Sequence, residues 1–265
     1  MKNPVRWIAM ACLLVGGAAQ GQIFSSKPVV QKPIPVLPAP QPGFQYPAHE
    51  TLTFSVDWRV FTAGTAVFHL DQAGDAEKIS ATADSSGAVN MLFAVVDTFQ
   101  SGFDTKTGCS TGFSKQIQEG RRKISSELTF DYAHGKQYQH ERNLVKGTAT
   151  QKEANIPACV TDSLSGIFYA QSQPMAVGQT IGFPLADSMR TVTVGMKVEG
   201  REEIKTPAGT FQALKVEPLA DEGVVKNRGH IWIWYTDDAR HIPVQIQARL
   251  FWGTITFHLQ SIETK

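Results

Sequence analysis

The chain has 265 residues, 42% of them hydrophobic, so it is long enough to bury a core of its own. Its 25 basic and 24 acidic side chains nearly balance. This balance argues against nucleic acid and against anionic membrane surfaces as partners, because both call for clustered Lys and Arg. The densest basic run, Arg121-Arg122-Lys123, follows Glu119-Gly120 and indicates a turn with solvated charges.

Residues 1–21 are typical of a secretory signal peptide. Lys2 and Arg6 precede an apolar run that is too short to span a bilayer, and small residues suited to signal peptidase follow. Cleavage after Ala19 and cleavage after Gly21 both fit. Loss of Lys2 and Arg6 changes the formal net charge from +1 to −1. We therefore expect an exported, periplasmic protein with no transmembrane segment in its mature chain.

Residues 22–48 are predicted to form a disordered, proline-rich linker. Seven of the fourteen prolines lie between Lys27 and Pro47. Proline at this density removes backbone donors and favours extended polyproline geometry. We expect the segment to hold the folded part away from another structure.

Residues 49–265 are predicted to form a single β domain. Thr51 to Trp58 alternates apolar and polar residues, and short strand-like runs separated by turn signals recur to the end of the chain. The last run, from Gly253 to Ile262, alternates in the same way. The expected fold is mainly β, either a strongly curved antiparallel sheet or a partly closed β-barrel.

One short helix is expected at about residues 162–171. Thr161 or Asp162 can cap it, apolar residues recur at helical spacing, and Pro174 follows its end. The apolar stretch 87–96 fits either a short helix or a strand.

Two cysteines, Cys109 and Cys159, remain once the signal peptide is removed. An even pair in an exported chain favours a disulfide over two buried thiols. No CxxC motif is present, so a redox enzyme is not indicated.

The segment 228–246 predicts a β-hairpin whose first arm is apolar on both faces. Trp232 and Trp234 lie on one side of the pleat, and Ile231, Ile233 and Tyr235 lie on the other. Such a strand is not stable half in water. Either protein covers both faces or one face lines an apolar cavity.

Several segments together resemble a family of exported bacterial proteins known as domain of unknown function 3108. They are Phe54-Ser55-Val56-Asp57-Trp58, Ala63-Gly64-Thr65-Ala66, the run from Ile156 to Tyr169, the run from Thr206 to Val216 and the run from Gly229 to Val244. The resemblance implies an envelope-associated β protein without assigned catalytic residues. Gly166 departs from the family pattern, and glycine there lowers local helix stability by up to ~1 kcal/mol relative to alanine.

Motifs for catalysis and metal binding are incomplete. Lys106-Thr107-Gly108 lacks the Ser-x-x-Lys partner of penicillin-binding enzymes, and His140-Glu141 lacks a second histidine at Leu144. Ser163 and Ser165 lie beside Asp162 but lack the flanking glycines of a nucleophile elbow. Asp162 is therefore expected to cap the helix and not to act as a catalytic acid. A metal site from His230, His241 and His258 is conceivable, but cross-strand packing is favoured. We therefore expect no metal, cofactor or enzymatic activity.

Aromatic residues are the remaining functional signal. Trp58, Trp232, Trp234 and Tyr235 lie, with Phe251 and Trp252, on the first and last strands, which become neighbours if the sheet curls round. We predict that Trp58, Trp232, Trp234 and Tyr235 bind an apolar or amphiphilic ligand such as a lipid. The alternative is a structural or interaction module that docks another envelope protein by a sheet edge or an aromatic face, and a hydrolase ranks below both.

Overall fold

The computed structural model describes residues 34–220, 229–250 and 253–265. The predicted signal peptide, Phe251 and Trp252 lie outside the described residues. The strands are β1 (His49–Trp58), β2 (Phe61–Ala73), β3 (Ala76–Ser85), β4 (Val96–Asp104), β5 (Ser110–Glu119), β6 (Arg122–Asp131), β7 (Lys136–Asn143), β8 (Thr148–Asn155), β9 (Thr180–Asp187), β10 (Arg190–Thr206), β11 (Gly209–Ala220), β12 (His230–Thr236), β13 (Pro243–Leu250) and β14 (Gly253–Thr264).

All fourteen strands form one antiparallel sheet, in the order β8-β7-β6-β5-β4-β3-β2-β1-β14-β13-β12-β11-β10-β9. The first and last strands pair from Glu50↔Thr264 to Trp58↔Ile255, so the two chain ends meet in the middle of the sheet. Its two edges, β8 and β9, are not paired with each other within the described residues. The prediction of a curved, incompletely closed antiparallel sheet is therefore confirmed.

Two short helices accompany the sheet in the described part of the chain. Helix α1 (Gly87–Leu92) connects β3 to β4 and resolves the ambiguous stretch 87–96, so the expectation of one helix was incomplete. Helix α2 (Ser165–Tyr169) continues as a 3-10 turn, Ala170–Ser172, within the predicted range 162–171 and one residue beyond it. Sequence patterning also missed β5, whose polar residues hide its alternation.

The described residues form three core clusters: a minor one of Ile156, Val160 and Ala186, and two main ones, a larger and a smaller cluster, that meet at α2. Leu164 and Phe168 belong to the larger cluster, which is built mainly on β1 to β6, β13 and β14. Tyr169 and Ala170 belong to the smaller cluster on β9 to β12. The helix is short, but its apolar residues pack against both halves of the sheet, and this burial stabilises it where intrinsic helix propensity does not.

The prediction of a disordered linker is corrected for residues 34–48, the described part of the range 22–48. The segment is extended but packs on the domain: Leu37 and Tyr46 are buried, and the Tyr169 hydroxyl donates to the Pro38 carbonyl at 2.5 Å. The Tyr46 ring meets the edge of Phe103 at 5.1 Å. Proline density predicts the extended geometry, but burial of these two side chains attaches the segment.

Candidate functional site

The two faces of β12 are both covered by protein. Ile233 and Tyr235 are buried in the smaller core cluster, where the Tyr235 hydroxyl donates to the Ile167 carbonyl at 2.9 Å. Burial raises the pKa of the Tyr235 phenol above its ordinary value. Trp234 is buried on the other face, and its indole N–H donates to Glu202 at 2.8 Å.

Trp232 is half-buried among charged side chains. The Lys215 ammonium lies 5.2 Å from its ring centre, the Arg249 guanidinium lies 5.3 Å away, and the His230 ring stacks at 5.4 Å. Cation–π attraction of this kind stabilises exposed pairs by ~0.5–1 kcal/mol each. The ring is thus already in contact with three side chains of the protein itself.

Trp58 lies apart from these residues, at the end of β1. It borders a partly open apolar cavity of about 50 Å³, together with Val56, Ala63, Val89 and Ile255. The structure therefore does not bring the four predicted ligand-binding residues together. Tyr235 points into the smaller core cluster, Trp232 and Trp234 lie on the opposite face of β12, and Trp58 alone of the four borders this cavity.

The turns at the two ends of the sheet differ in composition. We name the end that contains the β1–β2 turn and α1 the apolar end, and the end that contains the β2–β3 turn and α2 the acidic end. The cavity beside Trp58 lies at the apolar end, since Val89 of α1 and Ser85 of β3 also line it. Close by, Val60, Phe61, Met91 and Leu92 are exposed by 64% to 88%.

Asp162 is the best-connected buried polar group, and its contacts are structural. Its Oδ2 accepts hydroxyl protons from Ser101, Ser110 and Ser165 at 2.6 to 2.8 Å. Its Oδ1 accepts the backbone N–H groups of Leu164 and Ser165 at 2.8 and 3.0 Å. Five donors saturate the carboxylate and fix the entry to α2, as a cap does.

The predicted cysteine pair lies close to Asp162. Cys109 and Cys159 form a disulfide that closes a loop with a sequence separation of 50. It ties the β4–β5 turn to the segment before α2, and the Ser110 N–H donates to the Val160 carbonyl at 2.8 Å. This covalent link anchors the acidic end.

The three histidines considered as metal ligands have separate partners. His230 bonds Glu217 at 2.8 Å, His241 bonds the Gln171 carbonyl at 2.9 Å, and His258 lies 3.6 Å from Asp57. Among residues 34–220, 229–250 and 253–265, no group of three His, Cys, Asp or Glu side chains is placed to hold a metal ion. In the same part of the chain no helix has the length and apolar character needed to cross a membrane.

Two buried carboxyl groups are strongly perturbed. Burial, with the charges of Asp71 and Glu50, raises the pKa of Glu77 to about 8. Burial raises the pKa of Asp97 to about 7, although its Oδ1 accepts the Gln118 N–H. Neither Glu77 oxygen has a hydrogen-bond partner, so this side chain is favoured in its neutral form at neutral pH.

Sequence patterning missed the exposed apolar side chains around α1. The signals in the sequence were Val60 in the short connection after Trp58, where polar residues are usual, and the apolar stretch 87–96, which contains Met91 and Leu92. Such a signal is weak for any single residue, because isolated exposed apolar side chains are common. Only their proximity in the fold distinguishes them.

The fold is similar to those of solved structures from bacteria. A β-barrel-like protein of domain of unknown function DUF1849 from Brucella abortus matches with a TM-score of 0.57 and 7% identity, over 82% of this chain and 98% of that one. At this identity the match shows a shared fold alone.

Two further structures match less well. A predicted exported protein with a YmcC-like fold from Bacteroides fragilis gives a TM-score of 0.37, with 10% identity over 81% of this chain and 95% of its own. A predicted lipoprotein from Parabacteroides distasonis gives a TM-score of 0.31, with 10% identity over 82% of this chain and 97% of its own.

Comparison of the sequence with families gives a more direct result. No curated protein matches the chain. The profile of DUF3108, described as a protein of unknown function, matches residues 53–260, which is more than half of the chain. The chain therefore belongs to the DUF3108 family.

Proposed function

We propose that this protein is a non-enzymatic, exported module of the cell envelope that binds the apolar part of an amphiphilic molecule at its apolar end. The observation that supports the proposal is the partly open apolar cavity beside Trp58, with exposed apolar side chains of α1 and the β1–β2 turn close by. Contact with apolar groups removes this surface from water and is favourable by ~25 cal/mol per Å².

The size of the cavity limits what enters it. Pockets that enclose a small molecule usually measure roughly 300–1,000 Å³. This cavity measures about 50 Å³. The site therefore suits the end of an alkyl chain, and a carrier that encloses a whole lipid is the less favoured form of the proposal.

Fluorescence quenching at Trp58 tests the proposal. An amphiphile brominated near the end of its chain, titrated into protein purified after export, is expected to quench the Trp58 component of the emission. Trp58→Phe removes that component and so assigns it.

The matched pair Ala63→Val and Thr62→Val provides the control. Ala63 lines the cavity, whereas Thr62 is its exposed neighbour on β2. Filling the cavity with Ala63→Val is expected to reduce quenching severalfold, and Thr62→Val is expected to leave it unchanged. Equal quenching in both variants, or none in the unaltered protein, refutes the proposal.

One observation favours a second function, docking of an extended segment of another envelope protein. Edge strand β8 is exposed on nearly its whole length and pairs only with β7 among the described strands. The other edge, β9, is partly covered, because Thr161 donates its N–H to the Pro184 carbonyl and its carbonyl accepts the Ala186 N–H. An open edge can accept an added strand. Photo-crosslinking from Gln151 in intact envelopes tests this function, and one discrete adduct is the expected result.

A further inference from the structure

Four connections at the apolar end form a continuous surface, which we name the rim. It comprises residues 58–61, 85–96, 119–123 and 143–148. Backbone hydrogen bonds join its parts, since Leu144 donates to Lys123, Gly120 donates to Ala94, and Ser86 donates to Ala63 on β2, each at 2.9 Å. The β1–β2 turn is held in the same way, by Arg59 N–H donation to Thr254 at 2.9 Å.

The rim carries seven of the eleven large apolar side chains that are most exposed in the described part of the chain. They are Val60 (86%), Phe61 (64%), Met91 (88%), Leu92 (72%), Val96 (47%), Leu144 (56%) and Val145 (60%). Helix α1 has no buried residue at all. Val89 is half-buried against the cavity, but packing within the domain does not account for Met91 and Leu92, and a grouped exposed apolar surface of this kind indicates a binding face.

The charges of the rim have one predominant sign. Its four segments contain five basic residues and one acidic residue, a formal net charge of 5 − 1 = +4. The acidic residue, Glu119, is buried and bound to Arg122 at 2.9 Å. The exposed basic side chains around the apolar ones are Arg59, Arg121, Lys123 and Lys146. One exposed acidic side chain, Asp84, lies at the border of the rim and lines the cavity.

We propose that the rim docks on the surface of an anionic phospholipid bilayer, an inference that rests on the proposed function and specifies its ligand. The side chains of Val60, Phe61, Met91 and Leu92 enter the boundary between head groups and acyl chains. The basic side chains contact lipid phosphates, to which guanidinium and ammonium groups donate hydrogen bonds.

The pairing of charge and apolarity selects this partner. Apolar side chains alone fit a protein surface as well as a membrane, and basic side chains alone fit any polyanion. Arginine and lysine also keep their charged ends in the head-group region while their alkyl stems cover apolar surface. The two features occur together on one rim, and an anionic bilayer is complementary to both.

Vesicle binding tests the inference on protein purified from the envelope after export. Sedimentation with unilamellar vesicles of phosphatidylcholine containing about 30 mol% phosphatidylglycerol is compared with pure phosphatidylcholine. Binding is expected only with the anionic vesicles and is expected to weaken as salt rises from about 0.05 to about 0.5 M. Arg121→Gln with Lys123→Gln is expected to lower the partition coefficient about 25-fold, at about fivefold for each charge.

The apolar contribution is tested with Met91→Gln together with Leu92→Gln, which replaces the apolar side chains by polar ones of similar helix propensity. This double variant is expected to lose at least tenfold in partitioning. Matched controls lie toward the acidic end: Lys78→Gln with Lys205→Gln for charge, and Val177→Gln for apolarity. All three residues are exposed, and their variants are expected to bind as the unaltered protein does.

The outcomes distinguish failure of the inference from failure of the proposed function. Equal binding to both vesicle types overturns the role of charge, as does insensitivity to the basic substitutions. No vesicle binding, with quenching of Trp58 by a free brominated amphiphile intact, overturns the membrane inference and leaves the proposed function standing. Loss of both signals overturns both.

Discussion

The two ends of this sheet are built from the same kind of connection, yet they differ in chemistry. At the acidic end, Asp104 and Asp238 accept backbone N–H groups inside their own turns, and the disulfide and α2 add further links. At the apolar end, α1 buries none of its residues and exposes Met91 and Leu92. One end is organised for stability, and the other presents a surface that folding does not require.

Removal of the disulfide gives the largest expected effect and tests the role of the acidic end. Replacing Cys109 and Cys159 by serine frees a loop with a sequence separation of 50, which is expected to lower the free energy of unfolding by about 4 kcal/mol. Denaturant unfolding monitored by fluorescence measures the loss. A change below about 1 kcal/mol contradicts the assignment of stability to this end.

Asp162→Asn is the second test of the acidic end. Both carboxylate oxygens of Asp162 accept hydrogen bonds, Oδ2 from serine hydroxyls and Oδ1 from backbone N–H groups. Asparagine replaces one of these oxygens by an NH₂ group, which donates, so the buried donors that face it lose their acceptor. We expect a loss of about 3 kcal/mol. Equilibrium unfolding is the measurement, with Ser163→Ala as the neighbouring control, since the Ser163 hydroxyl has no hydrogen-bond partner.

Glu77→Gln tests whether the buried carboxyl opposes folding as pH rises. Its pKa of about 8 in the folded protein lies above its ordinary 4.5, so the folded state binds the proton more tightly than the unfolded state. The contribution of Glu77 to the free energy of unfolding is thus highest below pH 4.5, falls as pH rises from there to about 8, and then levels off.

The variant lacks this pH dependence. Its free energy of unfolding is expected to exceed that of the unaltered protein by about 2 kcal/mol at pH 8 and to show no gain at pH 4. Thermal unfolding across this pH range checks the prediction. The prediction is contradicted if the unfolding temperatures of the two proteins change with pH in parallel, because Glu77 then ionises as easily in the folded state as in the unfolded state.

Substitutions in the rim are expected to have the smallest effect on stability. Met91→Gln and Leu92→Gln change exposed positions on a helix without buried residues, so the free energy of unfolding is expected to change by less than about 0.5 kcal/mol. The same unfolding measurement applies. A loss above about 2 kcal/mol indicates that α1 packs in solution, and the contrast between the two ends then fails.

Local pattern predicted the strands where one face alternates. β1 and β14 have clear period-2 patterns, and their predicted proximity is found as direct pairing. β5 was missed because Lys115 and Glu119 are buried at positions where apolar residues are expected. A buried polar side chain is tolerated when its neighbours provide contacts, and those neighbours come from other strands.

The candidate site was predictable only in part. The sequence marked Trp58 as a candidate, but grouped it with Trp232, Trp234 and Tyr235, which the pleat and the packing of α2 separate. Aromatic content in a strand does not reveal which face another element will cover. Trp232 and Trp234 turned out to be in contact with Lys215, 5.2 and 5.5 Å from their ring centres.

The sequence by itself determined the β class, the cysteine pair and the family, because alternation, cysteine count and segment order are local or directly visible. Tertiary structure alone decided the character of the two ends. Arg59, Arg121 and Lys146 are far apart along a chain whose total charge is nearly neutral, so composition argued against a basic surface. In an antiparallel sheet, every second turn between consecutive strands lies at the same end of the sheet. Arg59, Arg121 and Lys146 belong to such turns and therefore lie at the end that contains α1.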